Sequence, residues 1–204
     1  MSGAAGSPQS KSGSGTPLPA GVVAVVLAAG LGTRYHGPTH KLLAPFRGHR
    51  VIDLAVAAPL AAGFGHVVVV TGDVELDLVA DDRISVINNP RPVDGQASSL
   101  RLGIARAAEL GATAVVVGLG DAPLVDAELW HRVASAPGPL AIADHDGSAI
   151  PPTRIDASVW DLLPREGDEG ARALVRGRPE LVTRVPCTSL SPDIDTEEDL
   201  ARWS

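Results

Sequence analysis

Residues 22–34 read Val22-Val23-Ala24-Val25-Val26-Leu27-Ala28-Ala29-Gly30-Leu31-Gly32-Thr33-Arg34, an apolar run that passes directly into a turn of small residues. The run has no polar alternation, so it describes a strand buried on both faces, the habit of parallel strands covered by helices. Working outward, helical and strand patterns alternate: a helix over 51–62, a strand over 67–70, a short helix over 75–80, a strand over 84–87, and a helix over 98–110 with Ser98 as its N-cap. A strand over 114–117 then runs into Gly118-Leu119-Gly120-Asp121, and a helix follows over 126–134. Beyond Pro137-Gly138-Pro139 the pattern is less regular. Strands fall near 140–143, 149–150 and 181–185, and helices near 157–162 and 169–175. A last helix opens with the capping pattern Thr196 to Asp199. The expectation is a single α/β domain over residues 21–204. Residues 1–20 are Gly, Ser, Ala, Pro and Thr with almost nothing apolar to bury, and read as a disordered tail.

Composition narrows the class. Of 204 residues, 45% are hydrophobic and 20% charged, which suffices for a buried core in one domain. Aromatics make up only 3%, so that core is built from Val, Leu, Ile and Ala. A net charge of −7 gives no broad attraction to nucleic acid or to an anionic membrane. The apolar run at 22–29 is too short to span a bilayer, and the single Cys187 forms no internal disulfide and no cysteine-based zinc site. These features point to a cytoplasmic protein with no nucleic-acid or membrane partner. Six histidines, His36, His40, His49, His66, His131 and His145, show neither metal-ligand spacing nor a Ser/His/Asp arrangement, and most read as surface residues.

The chemistry concentrates after the first strand. Small side chains let backbone N–H groups approach phosphate oxygens closely. Gly30-Leu31-Gly32 is followed three residues later by Tyr35, which breaks the dinucleotide fingerprint, and Lys41 lacks the preceding Gly and following Ser or Thr of a P-loop. What remains is a phosphate-sized loop with two cations close by, Arg34 and Lys41, suited to neutralising charge on a triphosphate. Asp121 stands just beyond a buried strand, where one carboxylate plus phosphate oxygens and water suit Mg²⁺. A turn-forming Asp before a proline is the plainer role for it. Ser98, Ser99 and Gly95 precede a helix N-terminus and serve either as nucleotide contacts or as ordinary caps.

Leu27-Ala28-Ala29-Gly30-Leu31-Gly32-Thr33-Arg34 with Lys41 downstream resembles the signature of nucleotidyltransferases that make sugar nucleotides, cytidylyl-methylerythritol and molybdenum dinucleotide cofactors. Four further segments resemble the MocA-like molybdenum cofactor cytidylyltransferases within the MobA-like NTP transferase superfamily. They are Asn89-Pro90 through Gly95 to Ile104, Gly120-Asp121-Ala122-Pro123, Gly167-Asp168-Glu169-Gly170-Ala171-Arg172, and Asp193-Ile194-Asp195-Thr196. The resemblance implies a Rossmann-like three-layer domain with a mostly parallel, mixed sheet. It implies Mg²⁺-dependent transfer of CMP from CTP to a molybdopterin-type phosphate by a monomer, with a molybdenum hydroxylase as the possible recipient of the product. Arg34, Lys41 and Asp121 would be catalytic, with Asp121 and Asp195 on the metal. Leu27, Ala28, Ala29, Gly30, Gly32, Thr33, Arg34, Lys41, Asn89, Gly95, Ser98 and Ser99 would bind nucleotide. Asp168 and Arg172 would lie on the acceptor side. Asp195 is equally open to capping the last helix, as is Thr196, and Asp168 to an ordinary turn and N-cap.

The chain departs from the family pattern in two places. The stretch from Arg34 to Lys41 is longer than the usual Arg-x-Gly-x-x-Lys, and Gly147-Ser148-Ala149 stands where Gly-His-Pro or Gly-Asn-Pro is usual. Ala29 stands where guanylyl-transferring relatives tend to have a second Gly, which favours cytosine. Three alternatives remain: another phosphorylated acceptor such as a sugar phosphate or phosphorylated small acid, with GTP as the possible donor; an oxidoreductase; and a non-catalytic cofactor carrier.

Overall fold

The structure, a computed structural model, describes residues 16–188 and 192–204. In chain order the strands are β1 (Val22–Ala28), β2 (Pro45–Phe46), β3 (His49–Arg50), β4 (Val67–Thr71), β5 (Ile84–Asn88), β6 (Ala114–Leu119), β7 (Leu140–His145), β8 (Ser148–Asp156) and β9 (Val182–Pro186). The α-helices are α1 (Val51–Ala61), α2 (Gln96–Glu109), α3 (Ala127–Ser135), α4 (Ala171–Gly177) and α5 (Glu197–Trp203). β2 and β3 make a small hairpin, and the other strands form one sheet in the order β5-β4-β1-β6-β8-β7-β9. Among the described residues, β8 runs antiparallel to both of its neighbours and the remaining pairs are parallel.

Every residue of β1 is buried, as the unbroken apolar run predicts. Its alternate residues feed two cores. Ala24, Val26 and Ala28 pack with Val51, Ile52 and Val56 of α1 and with Leu129, Trp130 and Val133 of α3. Val23, Val25 and Leu27 pack with Leu100, Ile104 and Ala107 of α2 and Leu174 of α4. The result is a three-layer, Rossmann-like α/β domain. From β1 the chain passes through α1 to β4 on one side, then returns through α2 to β6 on the other. Such a reversal opens a crevice outside the C-terminal end of the central strand, and the glycine-rich loop lies there.

Four local expectations are corrected. Residues 75–80 form no helix: Arg50 donates to the carbonyls of Leu76 (2.6 Å) and Asp77 (3.0 Å), and Asp77 has φ +40°, so neither the hydrogen bonds nor the backbone continue a helix. α2 begins at Gln96 with Gly95, not Ser98, at the N-cap; the Ser98 hydroxyl donates to the Gly95 carbonyl at 2.8 Å. The strand expected at 149–150 spans Ser148–Asp156, because a register shift in the β7 ladder at Ile142/Ala143 accommodates Pro151 and Pro152. α4 starts at Ala171 rather than near 169, with Gly170 as its N-cap.

Of the stretch expected to be disordered, residues 1–15 lie outside the described residues. Leu18 packs against the core, and the Thr16 carbonyl meets His131 Nε2 at 2.7 Å. No helix among the described residues is long and apolar enough to cross a membrane.

Trp130 is the largest aromatic contribution to this aromatic-poor core, set edge-on against Phe64 with ring centroids 5.7 Å apart. Trp130→Ala should lower unfolding free energy by about 3–5 kcal/mol, read by chemical denaturation; a loss below 1 kcal/mol would contradict this packing.

Candidate active site

The loop after β1, the end of β6 and the strip before α5 converge on one cleft of about 600 Å³. Each reaches it for a local reason. Gly32 has φ +60°, and a Cβ there would stand 2.9 Å from His40 Nε2, so the turn requires glycine at this position. Gly30 differs: a Cβ there meets nothing within 4 Å and its φ is not left-handed, so no protein atom demands a glycine. The free space lies on the cleft side, where the loop backbone would be approached by a ligand.

Asp121 follows β6, and its backbone carbonyl accepts from the Ile194 N–H at 2.8 Å. Fully buried Ile194 anchors the C-terminal strip, placing Asp193 and Asp195 on either side of that bond in the cleft. The Asp195 N–H donates to the Asp199 carboxylate at 3.2 Å, and the Thr196 hydroxyl caps α5 by accepting from the Asp199 N–H. Thr196 therefore serves as the cap, and the Asp195 carboxylate is left for the cleft.

The Lys41 ammonium sits between two carboxylates, donating to Asp121 Oδ2 at 2.5 Å and Asp195 Oδ1 at 3.0 Å, while Arg34 pairs with Asp195 Oδ2 at 2.9 Å. Lys41 is only 6% exposed. Burial works against its charge, but Asp121 and Asp195 outweigh burial and hold its pKa above the ordinary lysine value. The longer stretch from Arg34 therefore does not keep Lys41 out of the site. Asp193 has the opposite fate: burial, then repulsion from Asp121 and Asp195, pushes its pKa up to about 6. Four aspartates, Asp121, Asp168, Asp193 and Asp195, line the cleft with three cations, Arg34, Lys41 and Arg172.

Among the described residues, no three His, Cys, Asp or Glu groups are arranged to hold a metal by themselves. Two carboxylates remain, Asp121 and Asp195, and that is the donor set of an Mg²⁺-like ion completed by phosphate oxygens and water. The residues present fit a divalent ion that arrives with a nucleotide.

The segment around Gly167, expected on the acceptor side, meets the start of α2 directly. The Ala97 N–H donates to the Gly167 carbonyl at 3.0 Å, and a Cβ on Gly95, which has φ +90°, would collide with Gly167 and the Asp168 carboxylate. Asp168 and Arg172 thus line the same cleft as Gly30, Gly32, Thr33 and Arg34. Leu27, Ala29, Gly95 and Ser99 also line it, whereas Ala28 packs into the core. Asn89 is buried and is not among the residues lining the cleft; its side-chain amide donates to the Ser98 and Ser99 hydroxyls, each at 2.9 Å, so it supports the start of α2. Ser98 is not among the lining residues. Sequence reasoning passed over Asp193, Gln96, and the exposed apolar pair Leu31 and Val93 at the rim. The Asp193-Ile194-Asp195 alternation held the signal for Asp193, since Ile194 inward puts both neighbours outward.

This constellation of loop, lysine and paired carboxylates at a topological switch point defines a phosphate-handling α/β enzyme. The model of the MobA-like NTP transferase domain matches residues 24–184. The chain belongs to that family and is a nucleotidyltransferase. It is 31% identical to a protein named nicotine blue oxidoreductase from Paenarthrobacter nicotinovorans, over 92% of this chain and 98% of the relative. Among solved structures it is similar to a nucleotidyl transferase from Methanothermobacter thermautotroptrophicus, with TM-score 0.77 and 26% identity over 90% of this chain and 96% of that one. It is also similar to the manganese complex of Rv0371C from Mycobacterium tuberculosis H37Rv, with TM-score 0.70 and 25% identity over 89% and 97%.

The two loop glycines separate experimentally. Gly32→Ala should lower the melting temperature measurably, by the equivalent of about 1–2 kcal/mol, whereas Gly30→Ala should leave it within about 2 °C of wild type. Equal melting temperatures for both variants would contradict the loop geometry. Asp193 gives a pH signature in protein freed of divalent ions. Its folded pKa of about 6 lies above the ordinary carboxyl value, so the folded form binds the proton more tightly and loses stability as pH rises from about 4 to 6. Asp193→Asn should therefore be more stable than wild type at pH 8 and comparable at pH 4; lower stability of the variant at pH 8 would contradict the crowding.

Proposed function

We propose that the protein transfers CMP from CTP to the phosphate of a molybdopterin-type acceptor, releasing pyrophosphate, with Mg²⁺ as the divalent ion. The observation that carries this reading is the Lys41 ammonium held between Asp121 and Asp195 beside the glycine-rich loop. An acceptor phosphate oxygen, already anionic at neutral pH, attacks the α-phosphorus, and the bond to the β-phosphate oxygen breaks. Such a step needs positioning and charge neutralisation more than a general base. Loop N–H groups around Gly30 and Gly32 bind the triphosphate, and Arg34 and Lys41 offset charge on the departing pyrophosphate. Asp121 and Asp195 would hold Mg²⁺, which supplies charge neutralisation at the phosphate oxygens when bound. Asp168 and Arg172 face the acceptor, docked on the start of α2 so that donor and acceptor share one cleft.

Cytosine is favoured by the fit to the MocA-like segments and by Ala29. A cytoplasmic monomer handing its product to a molybdenum hydroxylase completes the reading. The relative named for nicotine blue suggests a reductase, but Tyr35 replaces the third small residue of a dinucleotide loop, and paired carboxylates on a lysine have no evident part in hydride transfer.

Pyrophosphate release should appear with CTP, Mg²⁺ and molybdenum-loaded molybdopterin together, and fall to background when the acceptor is left out. Asp121→Asn should abolish release, at least 100-fold, in protein that melts within a few degrees of wild type. Near-normal turnover in that variant would remove Asp121 from the metal site. Acceptor-dependent release with GTP alone, or only with a sugar phosphate, would overturn the substrate assignment.

A further inference from the structure

His40 lies directly before Lys41, at the N-cap of a single 3₁₀ turn, and its Nδ1 accepts from the Leu42 N–H at 3.3 Å. Burial is the main reason that the ring stays neutral, its pKa held below the ordinary histidine value although the Gly30 and Leu31 backbones pull the other way. In a neutral imidazole an accepting Nδ1 leaves the proton on Nε2, which becomes a donor. That Nε2 is buried and has no well-aligned hydrogen-bond partner, although the Gly30 and Leu31 backbones lie near enough to favour its proton. It points at the underside of the glycine-rich loop, 2.9 Å from the position a Gly32 Cβ would take. A buried donor without a well-aligned acceptor is costly, and a small turn of either carbonyl would satisfy it.

We propose that His40 is the positioning residue of the phosphate-binding loop: on nucleotide binding, the Gly30 or Leu31 carbonyl turns to accept the Nε2–H, and the next backbone N–H turns into the cleft. The coupling follows from peptide geometry. In a trans peptide the C=O and the following N–H point in opposite directions, so a carbonyl drawn beneath the loop presents its N–H above it. Gly30 and Gly32 give that peptide the freedom to rotate. His40 touches no substrate; it acts through the loop. The inference rests on the nucleotide reading of the cleft.

The test is titration calorimetry of the full chain with CTP and Mg²⁺, without acceptor. His40→Asn keeps an acceptor near the place of Nδ1 but has no donor at Nε2, whereas His40→Gln brings an amide N–H to the Nε2 position. The Asn variant should bind about tenfold more weakly than wild type, and the Gln variant within about threefold, at similar melting temperatures. An Asn variant that binds as tightly as wild type, or a Gln variant as weak as Asn, overturns the proposal. Histidine side-chain ¹H–¹⁵N spectra of the wild type give a second reading that needs no variant. The His40 Nε2–H resonance should be present without ligand and move downfield on adding CTP and Mg²⁺; an Nδ1–H tautomer, or an unmoved resonance at saturation, overturns it. Wild-type protein that binds no nucleoside triphosphate sinks the nucleotide reading and this inference together, whereas normal wild-type binding with unaffected variants sinks this inference alone.

Discussion

The Lys41 ammonium, shared by Asp121 and Asp195, ties together parts of the chain that are far apart in sequence: the loop after β1, the end of β6 and the strip before α5. A buried charge without partners is expensive, and here the two carboxylates supply them. The same carboxylates are the groups an incoming divalent ion would use. Under the proposed function, Lys41 would turn from these carboxylates to phosphate oxygens when nucleotide and metal bind.

The scaffold makes this possible by rigidity at the strand ends and freedom in the loop. β1 is clamped between β4 and β6, so the loop leaves from a fixed point at the switch in sheet order. The Ile194 N–H on the Asp121 carbonyl binds the C-terminal strip to the end of β6, which sets the spacing of the carboxylates. On the far side, Gly95 and Gly167 bring the segment over 167–172 against the start of α2. Under the proposed function, donor and acceptor faces would therefore be parts of one wall.

Much of the fold was legible because the decisive signal is local: unbroken apolar runs such as 22–27 and 114–117 describe buried parallel strands without reference to the rest of the chain. The helix expected at 75–80 failed because its carbonyls are claimed by Arg50, a contact 26 residues away that no periodicity reveals. β8 hid behind Pro151 and Pro152, which a register shift absorbs. In the site, Gly30, Gly32, Arg34 and Lys41 follow one strand and could be read together. Asn89, expected among the nucleotide-binding residues, turns inward to the two serine hydroxyls. The crowding of Asp193 and the poorly aligned Nε2 of His40 depend on which groups the fold brings beside them, and sequence spacing carries no measure of that.

Under the proposed function, the divalent ion binds through the nucleotide. Electron paramagnetic resonance of Mn²⁺, titrated with the protein alone and with the protein plus CTP, tests this directly. Weak binding to the protein alone and much tighter binding with CTP, lost in Asp121→Asn, is the predicted result. Tight Mn²⁺ binding without nucleotide, or no change on adding CTP, would contradict it.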